Sequence, residues 1–228
     1  AVARYGQWAL VIGVVFSVLF LVGAFVDRQQ FFHSYLIGFL FWTGIALGSL
    51  ALLMLQHLTG GGWGLVIRRV LEAATRTLSL LLVLFIPIVL GAKHIYSWTD
   101  PAAMAKSPAL LQKARYYLNL KGFTLRAALF FAVWLGLAYL LTKWSSEHDR
   151  TADRGLVKRL QGLSGPGMVL FVLTVTFASI DWVMSIDPTW SSTIYGLLFV
   201  AAWSLSALAF VTASIATLAR YEPMKRVV

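Results

Sequence analysis

Long apolar runs separated by short polar clusters organise this chain. Residues 8–26, 31–58, 65–91, 123–144, 166–185 and 189–219 are largely uncharged, and a helix needs about 20 such residues to cross about 30 Å of hydrocarbon. The pattern predicts six membrane-spanning helices in one transmembrane helical domain over residues 1–228. The second run is long enough to tilt or protrude. The third is expected to start through an interfacial helix carrying Arg68, Arg69, Glu72 and Arg76, leaving 77–92 as its uncharged part. In the fifth, Pro166 is expected in the first turn, where the missing N–H of proline removes no helical hydrogen bond. Small residues four apart, Gly44 with Gly48, Gly13 with Ser17, Ala132 with Gly136 and Ser192 with Gly196, predict close helix crossings in a compact bundle. Gly60, Gly61, Gly62 and Gly64 read as a flexible turn. A phosphate loop would need a preceding strand and a following Lys-Ser/Thr.

Composition agrees with this class. With 59% hydrophobic and 12% charged residues and a mean hydropathy of +0.78, the chain has too little polar surface to cover a soluble globule. Of its 19 Lys and Arg, twelve fall on the side of the amino terminus and seven on the other, which predicts that both termini are cytoplasmic. The net charge of +10 then belongs to membrane anchoring against anionic lipid, and no basic helix stands apart to read nucleic acid. The chain has no cysteine, which excludes disulfides, cysteine-bound iron-sulfur clusters, c-type haem attachment and thiolate zinc sites within it. The first run is long enough to remain as a span, so no cleaved signal is expected.

Ionisable residues at or inside the bilayer are costly and mark pathways or partners. Asp181 lies near the outer end of the fifth span, which suits either a proton acceptor or a carboxylate paired with Lys93 or Arg126. Glu72 and Arg76, four apart, are placed to pair on one helix face, either as a cytoplasmic proton entrance or as a solvated pair. His57 ends the second span on the same side, as a proton relay or an interfacial residue. On the outer side, His33 and His94 lie on adjacent spans. Axial ligation of a b-type haem needs such imidazoles, but these sit at the membrane edge with no deeper pair, leaving quinone or proton contacts or interface anchoring. Tyr96, Trp98, Tyr116, Tyr117, Trp182 and Trp190 form an expected outer aromatic rim, able to wall a quinone ring or simply to anchor the interface.

Three long strings carry a family resemblance: HSYLIGFLFWTGIALGSLALLMLQHLTGGGWGLVIRRVLEAATRTL from His33, HIYSWTDPAAMAKSPALLQKARYYLN from His94, and SGPGMVLFVLTVTFASIDWVMSIDPTWSSTIYG from Ser164. They resemble the NrfD-like (polysulfide-reductase-type) membrane subunits of alternative complex III, the bacterial quinol:cytochrome c oxidoreductase, and among these the second quinone-binding subunit. The resemblance implies a four-helix bundle with flanking helices in the bacterial inner (cytoplasmic) membrane. It also implies that this chain corresponds to the first six of about ten spans. The turn reads Asp187-Pro188-Thr189-Trp190, with threonine where the family leads one to expect histidine, and Thr189 takes no proton near neutral pH.

The implied function is that of a non-catalytic, cofactor-free subunit, a scaffold and proton half-channel coupled to menaquinol oxidation. The implied partners are a second NrfD-like subunit, an iron-sulfur subunit and c-type cytochromes, which would hold the iron-sulfur clusters and haems. His57, Arg69, Glu72 and Arg76 are the candidates at the cytoplasmic end, with Asp181, Asp187, His94, His33 and Trp182 at the outer end. Two other readings stand beside this one: a secondary transporter, and a purely structural membrane anchor. The transporter lacks the expected repeat of broken helices, since Pro87 breaks the third span without a counterpart three spans later.

Overall fold

A computed structural model describes residues 2–105 and 108–219. Of the cations counted above, Lys106, Arg220, Lys225 and Arg226 lie outside the described residues. The chain is all-helical: α1 Val2–Val26, α2 Arg28–Thr59, α3 Leu65–Arg76, α4 Leu78–Leu90, the short α5 Ala92–Ile95, α6 Pro101–Ala105 and α7 Pro108–Tyr116, then α8 Leu120–Thr151, α9 Arg154–Trp182 and α10 Tyr195–Leu218. With α3 and α4 running as one segment, six helical segments among the described residues are long and apolar enough to cross a membrane. The protein is a multi-pass membrane protein built as an all-α bundle.

Polar residues set the ends of these helices. Asp27 caps α2 by accepting from the Gln30 amide at 3.0 Å, Asn119 caps α8 through the Gly122 amide at 2.8 Å, and Asp153 caps α9 through the Gly155 amide at 2.7 Å. Between α8 and α9 the chain turns on Ala152, which takes the left-handed conformation at φ 53° and returns its amide to the His148 carbonyl. Within the apolar spans, Ser49, Ser164, Thr174 and Ser204 donate to carbonyls four residues back in their own helices. These four hydroxyls are thereby satisfied locally, whereas those of Thr43 and Thr142 have no partner.

Helices α2, α4, α8 and α9 close a four-membered ring in which each packs on the next, and α10 lies in the groove of α2 and α9. Helix α1 packs along α2, with the apolar window of its span lying outside the core. One end of the ring carries the α2 carboxy terminus, the start of α3 and the α8–α9 turn; it is called the Glu72 end below. The other carries the α4–α8 connection and the α9 carboxy terminus, and is called the Asp181 end.

Two sequence expectations need correction. Pro166 is not at a helix start: α9 begins at Arg154, and the proline lies in its interior. Its ring leaves one helical carbonyl without its N–H, a defect placed beside Gly165 and Gly167, which add no bulk. The third span is broken at Thr77, whose amide turns back to the Ala74 carbonyl at 3.2 Å and separates α3 from α4. Apolar periodicity passes through this one-residue irregularity without registering it.

The small-residue pairs also divide. A methyl group on Gly48 would collide with the Trp203 backbone carbonyl of α10, one on Gly44 would meet the Trp203 indole, and one on Gly196 would strike the Thr176 side chain of α9. These glycines set the two closest packings of α10. Gly13 and Gly136 meet nothing within 4 Å. Gly48→Ala is expected to destabilise the protein in detergent by about 1–3 kcal/mol, read as a lower thermal unfolding midpoint, whereas Gly13→Ala leaves the midpoint unchanged.

Candidate functional site

At the Asp181 end, Asp181 is fully buried on the last turns of α9, and Arg126 of α8 grips it in a fork. Nε reaches Oδ2 at 2.7 Å and Nη2 reaches Oδ1 at 3.0 Å. Two parallel bonds to one carboxylate are the strongest geometry an arginine offers. The guanidinium also donates to the Tyr117 carbonyl at 3.2 Å and lies 3.9 Å from the centre of the Tyr117 ring. Of the two partners that sequence offered Asp181, Arg126 is the one in place.

Around this pair, the Ser185 hydroxyl donates to the Asp181 carbonyl at 2.5 Å, and the Tyr96 hydroxyl donates to the Trp182 carbonyl at 3.0 Å. The buried Tyr117 hydroxyl approaches the Asp181 carboxylate without reaching hydrogen-bond geometry. Burial first, and then the Asp181 charge, push both the Tyr96 and Tyr117 phenols well above their ordinary values. Both stay protonated and neutral.

Trp182 is not a rim residue. It is fully buried at the centre of an aromatic cluster to which every helix of the ring contributes: Phe39 of α2 at 5.8 Å between centroids, Phe85 of α4 at 4.9 Å, and Phe131 and Trp134 of α8 at 6.0 and 5.7 Å. Tyr96 and Trp98 are likewise buried. These rings, expected in an outer rim that walls a quinone ring or anchors the interface, instead fill the bundle because four converging helices leave room that smaller side chains would not occupy. Tyr116 and Trp190 do lie exposed.

The remaining outer candidates are dispersed. His33 is half-buried, with Nδ1 at 2.8 Å from the Gln29 carbonyl of its own helix, and His94 stacks on Phe32 at 5.3 Å. Asp187 is exposed in the turn before α10. The Thr189 hydroxyl and amide donate to its Oδ1 at 2.5 and 3.0 Å, and these bonds hold its carboxyl below the ordinary carboxylate value. An exposed group that stays ionised at neutral pH stores no proton there. Lys113 closes the same turn by donating to the Pro188 carbonyl at 2.5 Å.

At the Glu72 end, Glu72 is buried on α3 and accepts from the Ser145 hydroxyl of α8 at 2.5 Å and from Arg69 Nη1 at 2.5 Å, with Arg68 Nε 3.9 Å away. Arg68 extends on to Asp149 of α8 at 2.6 Å, and Arg69 also pairs with Asp149. The pair expected between Glu72 and Arg76 does not form. Arg76 is exposed, while the face of α3 that turns toward α8 presents Glu72 with Arg68 and Arg69. His57 is buried near the end of α2, which packs on α3, and its Nε2 has no hydrogen-bond partner.

Ser145 and Asp149 lie past the apolar run that ends at 144, on the polar continuation of α8 to Thr151, so hydropathy alone does not bring them to Glu72. Their spacing of four, one helical turn, was the signal available. Both charge clusters balance formally, with Arg126 against Asp181 and Arg68 with Arg69 against Glu72 with Asp149. Among the described residues no group of three or more His, Cys, Asp or Glu side chains is arranged to hold a metal ion. Compared with models of protein families and with curated proteins, the chain finds no match.

Removing Arg126 would strand a buried carboxylate. Arg126→Ala is expected to destabilise the protein by about 3–5 kcal/mol in chemical unfolding in detergent, with Arg126→Lys intermediate because it keeps the charge and loses the fork. A second expectation concerns Asp187. Since its folded value is depressed, the stabilisation it lends the turn is complete above the ordinary carboxylate range and is lost as pH falls through the depressed value. Thr189→Ala should raise that value toward the ordinary one in a carbon-13 titration of the Asp187 carboxyl.

Proposed function

We propose that this chain is an NrfD-like, cofactor-free, non-catalytic membrane subunit of a bacterial quinol:acceptor oxidoreductase of the alternative complex III type. In this reading it serves as scaffold and as a proton half-channel coupled to menaquinol oxidation. It lies in the inner (cytoplasmic) membrane with both termini and the Glu72 end in the cytoplasm. Iron-sulfur clusters and c-type haems belong to partners: an iron-sulfur subunit, c-type cytochromes and a second NrfD-like subunit.

The observation that carries this reading is a buried acid at each end of one four-helix ring. Glu72 holds a short hydrogen bond to Ser145 at one end, and Asp181 is set among Arg126, Tyr117 and Tyr96 at the other. The resemblance of the three long strings supplies the chemistry that such acids would serve. His57 and Arg69 belong to the Glu72 end in this reading, with Arg76 at its exposed margin.

A structural anchor is the second reading, favoured by the local charge balance of both clusters and by the aromatic packing around Trp182. The two separate on Glu72→Gln, whose amide oxygen can still accept from Ser145 and so leaves the fold in place. The expected result is an assembled complex that oxidises quinol with a lower proton-to-electron ratio, measured in proteoliposomes. An unchanged ratio in an assembled complex would leave the anchor. Isolation of the chain without redox partners, together with solute uptake when reconstituted alone, would indicate a transporter.

A further inference from the structure

A cavity of about 450 Å³ opens where α3 and α4 meet α8 at the Glu72 end. Arg76 and Lys143, both exposed, stand at its margin with the hydroxyls of Ser79 and Ser146, and no carboxylate is among the residues that line it. The Thr142 hydroxyl in its wall is buried and without a hydrogen-bond partner. Leu135 and Tyr139 form the deeper part, and Lys143 Nζ lies 5.7 Å from the Tyr139 ring centre.

The depth of these groups is fixed by the helices that carry them. Arg76 is the last residue of α3 before the uncharged α4, and Lys143 ends the uncharged run of α8 that follows Arg126. Both cations therefore stand where hydrocarbon gives way to headgroups. Along α8, at about 1.5 Å per residue, Ser146 and Leu135 are about 16 Å apart. The site passes from cationic and hydroxylated to apolar over that length.

We propose that this cavity binds an anionic phospholipid of the leaflet at the Glu72 end. Its phosphodiester sits between Arg76 and Lys143, accepts hydrogen bonds from Thr142 and Ser146, and its acyl chain runs down over Tyr139 and Leu135. Basic pockets between transmembrane helices recognise such headgroups. A free phosphate ion offers the same charge and acceptor oxygens, but it leaves the apolar floor unfilled. The gradient from polar to apolar selects the lipid. The site shares Arg76 with the exposed margin of the Glu72 end and stands without the proton role proposed above.

The test titrates the full chain, purified in mild detergent and stripped of lipid, with phosphatidylglycerol, phosphatidylcholine and inorganic phosphate by native mass spectrometry. One phosphatidylglycerol should bind in preference to phosphatidylcholine. The double variant R76Q/K143Q should weaken it about twenty-fivefold, each cation contributing roughly fivefold, with an unaltered unfolding midpoint. R28Q/K121Q, which removes two exposed cations at the Asp181 end, should leave the affinity unchanged. Leu135→Trp, which fills the floor without touching a charge, should also weaken the lipid. Equal binding of phosphatidylcholine, equal losses in the two double variants, wild-type affinity in Leu135→Trp, or displacement of the lipid by inorganic phosphate would each overturn the proposal.

Discussion

A carboxylate placed in hydrocarbon needs a cation or a proton beside it, and this requirement decides which helices of the bundle are neighbours. Between spanning helices the surrounding lipid is as apolar as the side chains, so burial of apolar surface does little to choose partners. Polar pairs and close backbone approach make the choice. Asp181 joins α9 to α8 through Arg126 at one end, while Glu72 joins α3 to α8 through Ser145, with Arg68 and Arg69 reaching Asp149. Helix α8 is the strut common to both joints. Arg126 and Ser145 lie on it about 28 Å apart, close to the thickness of the hydrocarbon itself. Backbone approach at Gly44 and Gly48 then seats α10 against α2.

Because each joint is neutral within itself, the middle of the ring is free of charge and fills with aromatic side chains. Trp182 follows Asp181 directly in α9, so the residue that anchors the helix end also places an indole at the centre of the bundle. Phe39, Phe85, Phe131 and Trp134 converge on it from the other helices of the ring. The Trp134 indole N–H is satisfied by the Thr174 hydroxyl at 2.8 Å, so even the polar atom of that ring is tied to α9. The order of chemistry across the bundle is therefore acid and base, aromatic rings, then acid and base again.

The six spans were legible because hydrocarbon imposes a length and a polarity that composition cannot disguise. The helix ends were less so. Span four runs on to Thr151 and span five starts at Arg154, because polar residues continue a helix in water as readily as apolar ones do in lipid. That extension carries Ser145 and Asp149, the α8 members of the Glu72 cluster, so they stand outside the apolar run that marks the span. The partner of Asp181 could be narrowed to two residues from sequence, but only packing selects Arg126. Arg76 fulfils the spacing rule for pairing with Glu72 and yet lies exposed, since Arg69 and Ser145 occupy the two carboxylate oxygens. Trp182 shows the limit of an aromatic rule, because the same residue type serves a membrane interface and a crowded core.

The two readings of the acids make different demands on the middle of the bundle. Proton transfer along a hydrogen-bonded wire takes a link about every 2.8 Å, so about ten links are needed over the 28 Å between the Arg126 and Ser145 levels of α8. Thr43, Ser49, Thr142, Ser164, Thr174 and Ser179 are buried hydroxyls on the ring helices, and those of Ser49, Ser164, Thr174 and Ser179 are engaged by their own helices, with Trp134 also on Thr174. Six hydroxyls, four of them already bonded within their helices, do not make ten links, and an indole N–H donates without accepting. A conducting state must therefore admit a file of water past Trp134 and Trp182, with rotation of at least one ring out of the packing it occupies here. A scaffold requires no such motion. Passage of a proton from one acid to the other thus commits the protein to a second, wetter arrangement of the Trp182 cluster, whereas a half-channel from either end needs water only as far as that cluster.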